Sequence, residues 1–332
     1  MKLTATLSGL FVLGAAALVP ASAFAATPAP DPDSIVTVQL ENDAASLPAT
    51  DRYYTAGQRL SYVSPTGVVP DFVSRLGDQW FGQGTQRFEL DIQQKIFTPA
   101  DTQIYNPDPH DRPYAGDLTA RFTLIQDTTD ERTMAGVALG VVGPWALGQS
   151  VQNGFHELIG QTPNRGWKYQ LKNEPTLNFY GGRIWRENLL TVGGLQFQAL
   201  PQLTAQAGNT EIYGQGGMIV RIGQGLGSDF GAAIIQPQLS GTDAYTPTRP
   251  FVWYVFGGAL GRFMAHDLLI QGNTYRSSRS VGLTHWQGSL VCGVAAIYHG
   301  VRLSASEVFQ TPQFHGSAPA FQYGSIALSV RF

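Results

Sequence analysis

Hydropathy along this chain alternates with a period of two residues almost from end to end, and that regularity leaves few folds open. In the last segment Ile326, Leu328, Val330 and Phe332 alternate with Ala327, Ser329 and Arg331. Upstream, Phe88, Leu90, Ile92 and Ile96 alternate with Glu89, Asp91, Gln93 and Lys95. A strand that is apolar on one face and charged on the other needs two different surroundings, lipid and a polar lumen. No helical alternative is available. Past the first 25 residues no stretch offers the roughly 20 apolar residues of a spanning helix, and the nearest, Met134 to Gly148, is Gly-rich and broken by Pro144. Charged residues are only 14%, well under the roughly one quarter of soluble domains, yet mean hydropathy is −0.07. Low charge without high hydrophobicity follows when every second residue faces lipid. An open sheet edge cannot survive in hydrocarbon, so the sheet must close. The expected fold is a transmembrane antiparallel up-and-down β-barrel.

Twelve segments carry the pattern: 35–42, 54–63, 87–97, 114–126, 134–145, 174–185, 190–206, 211–222, 252–265, 285–298, 301–310 and 321–332. An even count suits a single-chain bacterial barrel. The terminal Phe332 on an alternating strand resembles the C-terminal signal of bacterial outer-membrane barrels. At the other end, Lys2, the apolar run Leu3 to Pro20 and the small-x-small site Ala23-Phe24-Ala25 read as a secretory signal peptide over 1–25, leaving 26–332 as the barrel. Removing Lys2 takes the net charge from −3 to −4, so nothing favours nucleic acid as a partner. With both termini periplasmic, the outer connections include 43–53, 98–113, 146–173, 207–210, 266–284 and 311–320. A helical stretch is expected over Gln149 to Ile159. The long periplasmic connections 64–86 and 223–251 have no evident role in the sequence. The single cysteine, Cys292, reads as core or wall packing.

Three clusters fall at outer strand ends: Glu41-Asn42-Asp43, then Asp51-Arg52-Tyr53-Tyr54-Thr55-Ala56-Gly57, then Gln152-Asn153-Gly154-Phe155-His156-Glu157. A hairpin from 35 to 63 brings Asn42 and Asp43 near Thr55 at one rim. Their oxygens suit a hard cation such as Ca²⁺. Asn-Asp also favours turns, so spacing alone leaves both readings open. Gln152 and His156, four apart, share a helix face, and a neutral histidine is the commonest general base. His156 equally reads as an exposed loop residue. His156-Glu157-Leu158-Ile159-Gly160 is not H-E-x-x-H, which disfavours a zincin. No serine sits in G-x-S-x-G, so the nucleophile elbow of common esterases is missing.

Taken in order, these clusters resemble the outer-membrane lipid A 3′-O-deacylase family. Asp111-Arg112-Pro113-Tyr114-Ala115-Gly116, Gly166-Trp167 with Gln170-Leu171 and Asn173-Glu174-Pro175, Gly223 to Gly231, Gly272-Asn273-Thr274 and the ending Gly324 to Phe332 extend the resemblance over most of the chain. It implies a twelve-stranded barrel in the Gram-negative outer membrane. It also implies Ca²⁺-dependent hydrolysis of an ester-linked acyl chain of lipid A, with lipopolysaccharide as substrate and a monomer as the expected state. The implied site residues are Asn42, Asp43 (also a metal ligand), Thr55, Gln152 and His156. His156 would activate water while Ca²⁺ stabilises the oxyanion. A basic pair carried by some members in an outer loop has no match here, because 98–113 offers only Arg112 and His110. The competing readings are an outer-membrane phospholipase and a non-catalytic porin, structural barrel or receptor.

Overall fold

The computed structural model describes residues 26–45, 52–235, 243–318 and 320–332. The signal segment 1–25 and Asp51 lie outside the described residues. In chain order the elements are β1 (Ile35–Asn42), β2 (Tyr53–Val63), α1 (Asp71–Phe81), β3 (Thr85–Thr98), β4 (Ala115–Asp127), β5 (Glu131–Val142), α2 (Gly148–Leu158) and β6 (Glu174–Trp185). There follow β7 (Glu187–Val192), β8 (Leu195–Gly208), β9 (Glu211–Gln224), β10 (Phe251–Asp267), α3 (Leu268–Gln271), β11 (Trp286–Tyr298), β12 (Val301–Gln310) and β13 (Phe321–Arg331).

Neighbouring strands pair antiparallel, β1 pairs with β13, and β6 pairs with β8, so twelve strands close a barrel. The expected segments all fall on strands, with one correction. The segment 190–206 is not one strand, because Gly193 and Gly194 (φ 58° and 84°) make a two-residue turn that folds β7 back on β8. Positive φ at both central residues is what a type I′ hairpin needs, and Gly-Gly supplies it. β7 is therefore an extra ribbon beside the closed wall.

The pleat sorts the side chains as the alternation requires. Val38, Leu40, Leu60, Leu90 and Ile92 are exposed on the outside, while Gln39, Arg59, Glu89 and Asp91 are buried inside. Cys292 is exposed on the lipid-facing side of β11, between Leu290 and Val294. With the termini periplasmic, the opposite end, which carries the loops 99–114, 143–173 and 268–285, is the outer end.

The two unexplained connections acquire roles. In the connection 225–250, the described parts 225–235 and 243–250 turn back into the lumen as a plug. Ala232, Ala233, Ile234 and Ile235 are buried, the Ile235 amide donates to Glu41 (2.6 Å), and Gln39 Nε2 donates to the Ala233 carbonyl (3.0 Å). Arg59 links Glu89 (3.1 Å) to Asp243 (2.6 Å), and Ser61 also donates to Asp243. Asp229 pairs with Arg221 and lies 3.6 Å from Arg302. Burial alone would raise the Asp229 carboxyl; these two guanidinium groups outweigh it and hold it at about 2. Charges removed from water need such partners, and these ion pairs tie the described parts of the plug to the lumen face of the wall.

The connection 64–84 contains α1, which lies against the outer wall. Gln86 and Gln126 are opposed in the β3–β4 register and hydrogen-bonded to each other (2.8 Å). They share the outward face with Phe88 and Phe122 and are covered by α1. Gln86 Nε2 donates to the Ser74 carbonyl (3.0 Å) and to Asp78 (2.9 Å). At the outer end, α2 lies on the outer face of β3 and β4.

Candidate functional site between the second helix and the barrel wall

The row Asn42, Ala56, Ile96, Gly116 runs across the outer ends of β1 to β4 in register. It faces outward, as Ile92 does one turn of the pleat below, yet Ile92 is 58% exposed and Ile96 is fully covered. The cover is Trp167, which packs with Ala56, Ile96 and Tyr114. The Trp167 and Tyr114 ring centres are 4.8 Å apart.

Three of the expected residues lie on or beside this row. Asn42 closes β1, and its side-chain oxygen accepts from the Ala44 amide (2.7 Å). Asp43 opens the following 3-10 turn, is buried, and accepts from the Arg52 amide at Oδ2 (2.7 Å). Thr55 is the extra residue of a β-bulge between Tyr54 and Ala56, and its hydroxyl meets that of Thr98 (2.8 Å). A bulge re-aims one side chain without breaking the sheet. Tyr53 just before it holds φ 66°, rare for a bulky residue. It is fixed by Phe314 and Phe321 (5.3 and 5.7 Å) and by the Ala318 amide, which donates to its hydroxyl (2.9 Å).

The other two lie on α2, which occupies the helical stretch expected over 149–159. Its wall face buries Gly148, Gln152 and His156, at four-residue intervals. Gly148 lets the helix start against the wall: a Cβ there would stand 2.9 Å from the Trp167 ring and 3.1 Å from the Gly116 Cα. Trp167 Nε1–H donates to Gln152 Oε1 (3.1 Å), which makes the Gln152 amide nitrogen its donor end. His156 Nδ1 lies 3.2 Å from the Thr162 carbonyl. A carbonyl can only accept, so this bond requires the Nδ1–H tautomer and leaves the Nε2 lone pair as the basic position. Asn153 exchanges hydrogen bonds with Asn164 (2.9 and 3.2 Å), tying the helix to the chain that follows.

Trp167 therefore joins the halves of the site, touching the strand row on one side and Gln152 on the other. The sequence reading did not assign it a role, although Gly166-Trp167 was among the residues of the resemblance. Thr98, Gly116 and Gly148 were also missed, because their importance lies in contacts that only the closed wall creates.

The donors around Asn42, Asp43 and Thr55 are all oxygens, the set a hard cation prefers. Only one is a carboxylate, and no group of three or more His, Cys, Asp or Glu residues forms a metal cluster among the described residues. A cation here would draw most of its six to eight oxygens from neutral groups, water and substrate.

Of the basic residues of 98–113, Arg112 is turned inward and His110 is exposed beside a carboxylate. Arg112 is buried against the Phe97 ring (4.4 Å) and donates to Gln313 (3.2 Å), and His110 pairs with Asp108 (3.0 Å). Other loops bring basic groups to the same segment. Arg279 donates to Asn106 (2.6 Å) and to the Pro107 carbonyl, and Lys168 lies over the Tyr105 ring (5.8 Å).

The sequence profile of outer membrane protein LpxR matches residues 10–332. Among curated protein sequences none matches. The solved structure of LpxR from Salmonella typhimurium superposes with a TM-score of 0.75 at 21% identity, covering 89% of this chain and 99% of that one. The β domain of the Bordetella autotransporter BrkA gives 0.40 at 10% identity, with 92% and 99% covered. The NalP translocator domain from Neisseria meningitidis gives 0.39 at 12%, with 90% and 88% covered. The first likeness shows the fold; the other two are too weak to argue from.

Proposed function

Because the chain belongs to the LpxR family of outer-membrane proteins, we propose that it is a lipid A deacylase of the Gram-negative outer membrane, hydrolysing an ester-linked acyl chain, in the first place the 3′-O chain, in the outer leaflet. One observation carries the reading. The helix that buries Gln152 and His156 against the wall exposes Leu147, Val151, Phe155 and Leu158 on its other side. A general base thus stands between the wall and a helix whose outer flank is apolar, at the level of the outer leaflet, where an acyl chain lies beside its ester.

His156 Nε2 takes a proton from a water, whose oxygen forms a bond to the ester carbonyl carbon. The tetrahedral intermediate collapses as the carbon–oxygen bond to the sugar breaks, and His156 returns the proton to the departing alkoxide. The Thr162 carbonyl keeps the imidazole in the tautomer this requires. Gln152, oriented by Trp167, donates to the oxygen on which negative charge develops. Thr55 and Asn42 position water and substrate from the wall. Ca²⁺, held by Asp43 with help from the neutral oxygens beside it, would supply positive charge at the ester carbonyl. Arg112 is spent inside the protein, so Lys168 is the exposed basic side chain best placed to meet a lipid A phosphate.

The test is mass spectrometry of lipid A incubated with the detergent-solubilised protein, with Ca²⁺ or with a chelator. Loss of one acyl group with Ca²⁺ and none with chelator is the expected result. Intact lipid A in both arms, with diacylglycerophospholipid cleaved instead, would overturn the substrate and favour a phospholipase.

A further inference from the structure

We propose that α1 is a membrane-surface helix that seats the periplasmic end of the barrel in the inner-leaflet phospholipids of the outer membrane. The starting observation is an apolar stripe that no described residue covers. Phe72, Leu76 and Trp80 recur every four residues on one flank and are 64%, 45% and 70% exposed, and Val68 just upstream is exposed as well. Four-residue spacing puts them on one side of the helix. The wall face is a separate one. Gly77 lies over Gln86 and Gln126, with Ser74 and Asp78 bonded to Gln86 beside it. The stripe stands roughly a quarter turn from that face, and Arg75 and Gln79 lie on the side turned away from the wall. The helix is therefore anchored by one face and bare on another.

Lipid is the occupant because the stripe continues an interface the barrel already has. On the outer wall the register steps from Ile92 opposite Ala120, to Leu90 opposite Phe122, to Phe88 opposite Leu124, and then to Gln86 opposite Gln126. The lipid-facing belt turns polar at that last step. Phe88 lies between Tyr62 and Phe122 (6.3 and 6.0 Å), an aromatic girdle of the kind that marks a barrel's membrane boundary. α1 begins where the girdle ends and covers the glutamine pair, which would otherwise face the headgroup edge bare. A helix of this make lies in the interface plane with its apolar side about 5–10 Å into the headgroup and acyl boundary.

The experiment reads Trp80 in the full-length barrel, in bilayers of phosphatidylethanolamine and phosphatidylglycerol. Phenylalanine is silent under selective tryptophan excitation, so the spectrum of wild type minus Trp80→Phe isolates this indole, and the exchange retains its apolar character. The difference spectrum should be blue-shifted, lose intensity to lipid brominated near the carbonyl end of its chains more than to lipid brominated near the methyl end, and resist aqueous acrylamide. A red, acrylamide-quenched spectrum insensitive to bromine would overturn the proposal by showing the stripe in water. Shielding from both quenchers would also overturn it, since the stripe would then be covered by protein, such as a second copy. Gel-mobility change on heating verifies that the Trp80→Phe barrel is folded before either spectrum is compared.

Discussion

Two helices of eleven residues lie on the outside of the same pair of strands, β3 and β4, one at each end of the barrel. Each presses one face on the wall and leaves an apolar stripe bare: Phe72, Leu76 and Trp80 on α1, and Leu147, Val151, Phe155 and Leu158 around α2. They differ in what the wall face holds. α1 buries only Gly77 there, over two glutamines that bond each other. α2 buries Gly148, Gln152 and His156 over a row of strand ends that includes Asn42. An amphipathic helix on lipid is thus a shared device. The chemistry depends on whether the covered face pairs off its own polar groups or holds a base, an amide and oxygens that a substrate could use.

The largest effect should come from removing the base. His156→Ala is expected to lower deacylation by roughly 10²-fold or more, the usual range for a general base. The barrel should stay folded, as checked by gel-mobility change on heating. Ser74→Ala on the wall side of α1 should leave activity unchanged. Equal rates for His156→Ala and wild type would break the comparison at its centre.

A smaller effect concerns the plug between the two ends. The Asp229 carboxyl, at about 2 when folded, titrates near its ordinary 3.8 in an unfolded chain. A depressed folded value contributes stability that is complete above the unfolded value and lost as pH falls towards the folded one. Fewer than two units of difference correspond to roughly 2 kcal/mol. Amide exchange over 226–235, with chemical exchange rates corrected for pH, should show constant protection from about pH 8 to 5 and a fall between about 4 and 2. Flat protection to the bottom of that range would mean that the Arg221 and Arg302 pairs are not what retains the plug.

Most of the wall was legible because a period of two needs no tertiary information: each segment states which side faces lipid. The exception, 190–206, failed where Gly193-Gly194 had a tighter reading as a turn. The two long connections were opaque for a different reason. The residues that matter in 225–250 are single ion-pair partners, such as Asp229 and Asp243, whose arginines sit on β2, β9 and β12. No local pattern announces such a pairing. The candidate site divides in the same way. Asn42, Asp43, Thr55, Gln152 and His156 could be named from chemistry and resemblance. Trp167 and Gly148, which seat them, act only through contacts across the closed wall. The α1 stripe at 72, 76 and 80 carries its four-residue period in the sequence, but a short amphipathic run inside the connection 64–86 does not say what it lies on.

The finest discrimination between the helices comes from adding one methyl group to each wall face. Gly77 lies in a helix interior, where alanine favours the helical state by about 1 kcal/mol, and Gly148 opens α2 without a positive φ, so at both positions any harm must come from what the new Cβ meets. On α1, Gly77→Ala brings the Cβ to 2.8 Å from Gln86 Nε2, the far end of a side chain, so what must give is a set of side-chain hydrogen bonds and not the strand backbone. On α2, Gly148→Ala meets the Trp167 ring at 2.9 Å and the Gly116 Cα at 3.1 Å, neither of which can yield without moving the helix or the wall. Displacing α2 by a few tenths of an ångström shifts Gln152 and His156 relative to Asn42 and Thr55. A whole ångström of misplacement can cost about 10²-fold, so a loss of about tenfold is expected. The loss should fall in kcat rather than KM, because the apolar lip that holds the chain moves with the helix. Gly77→Ala should keep full activity, with little change in thermal stability, because the helical gain is offset by the disturbed Gln86 bonds. If Gly148→Ala is as active as wild type, the seating of α2 on β4 does not set the geometry of the site, and Trp167 would have to hold Gln152 in place alone.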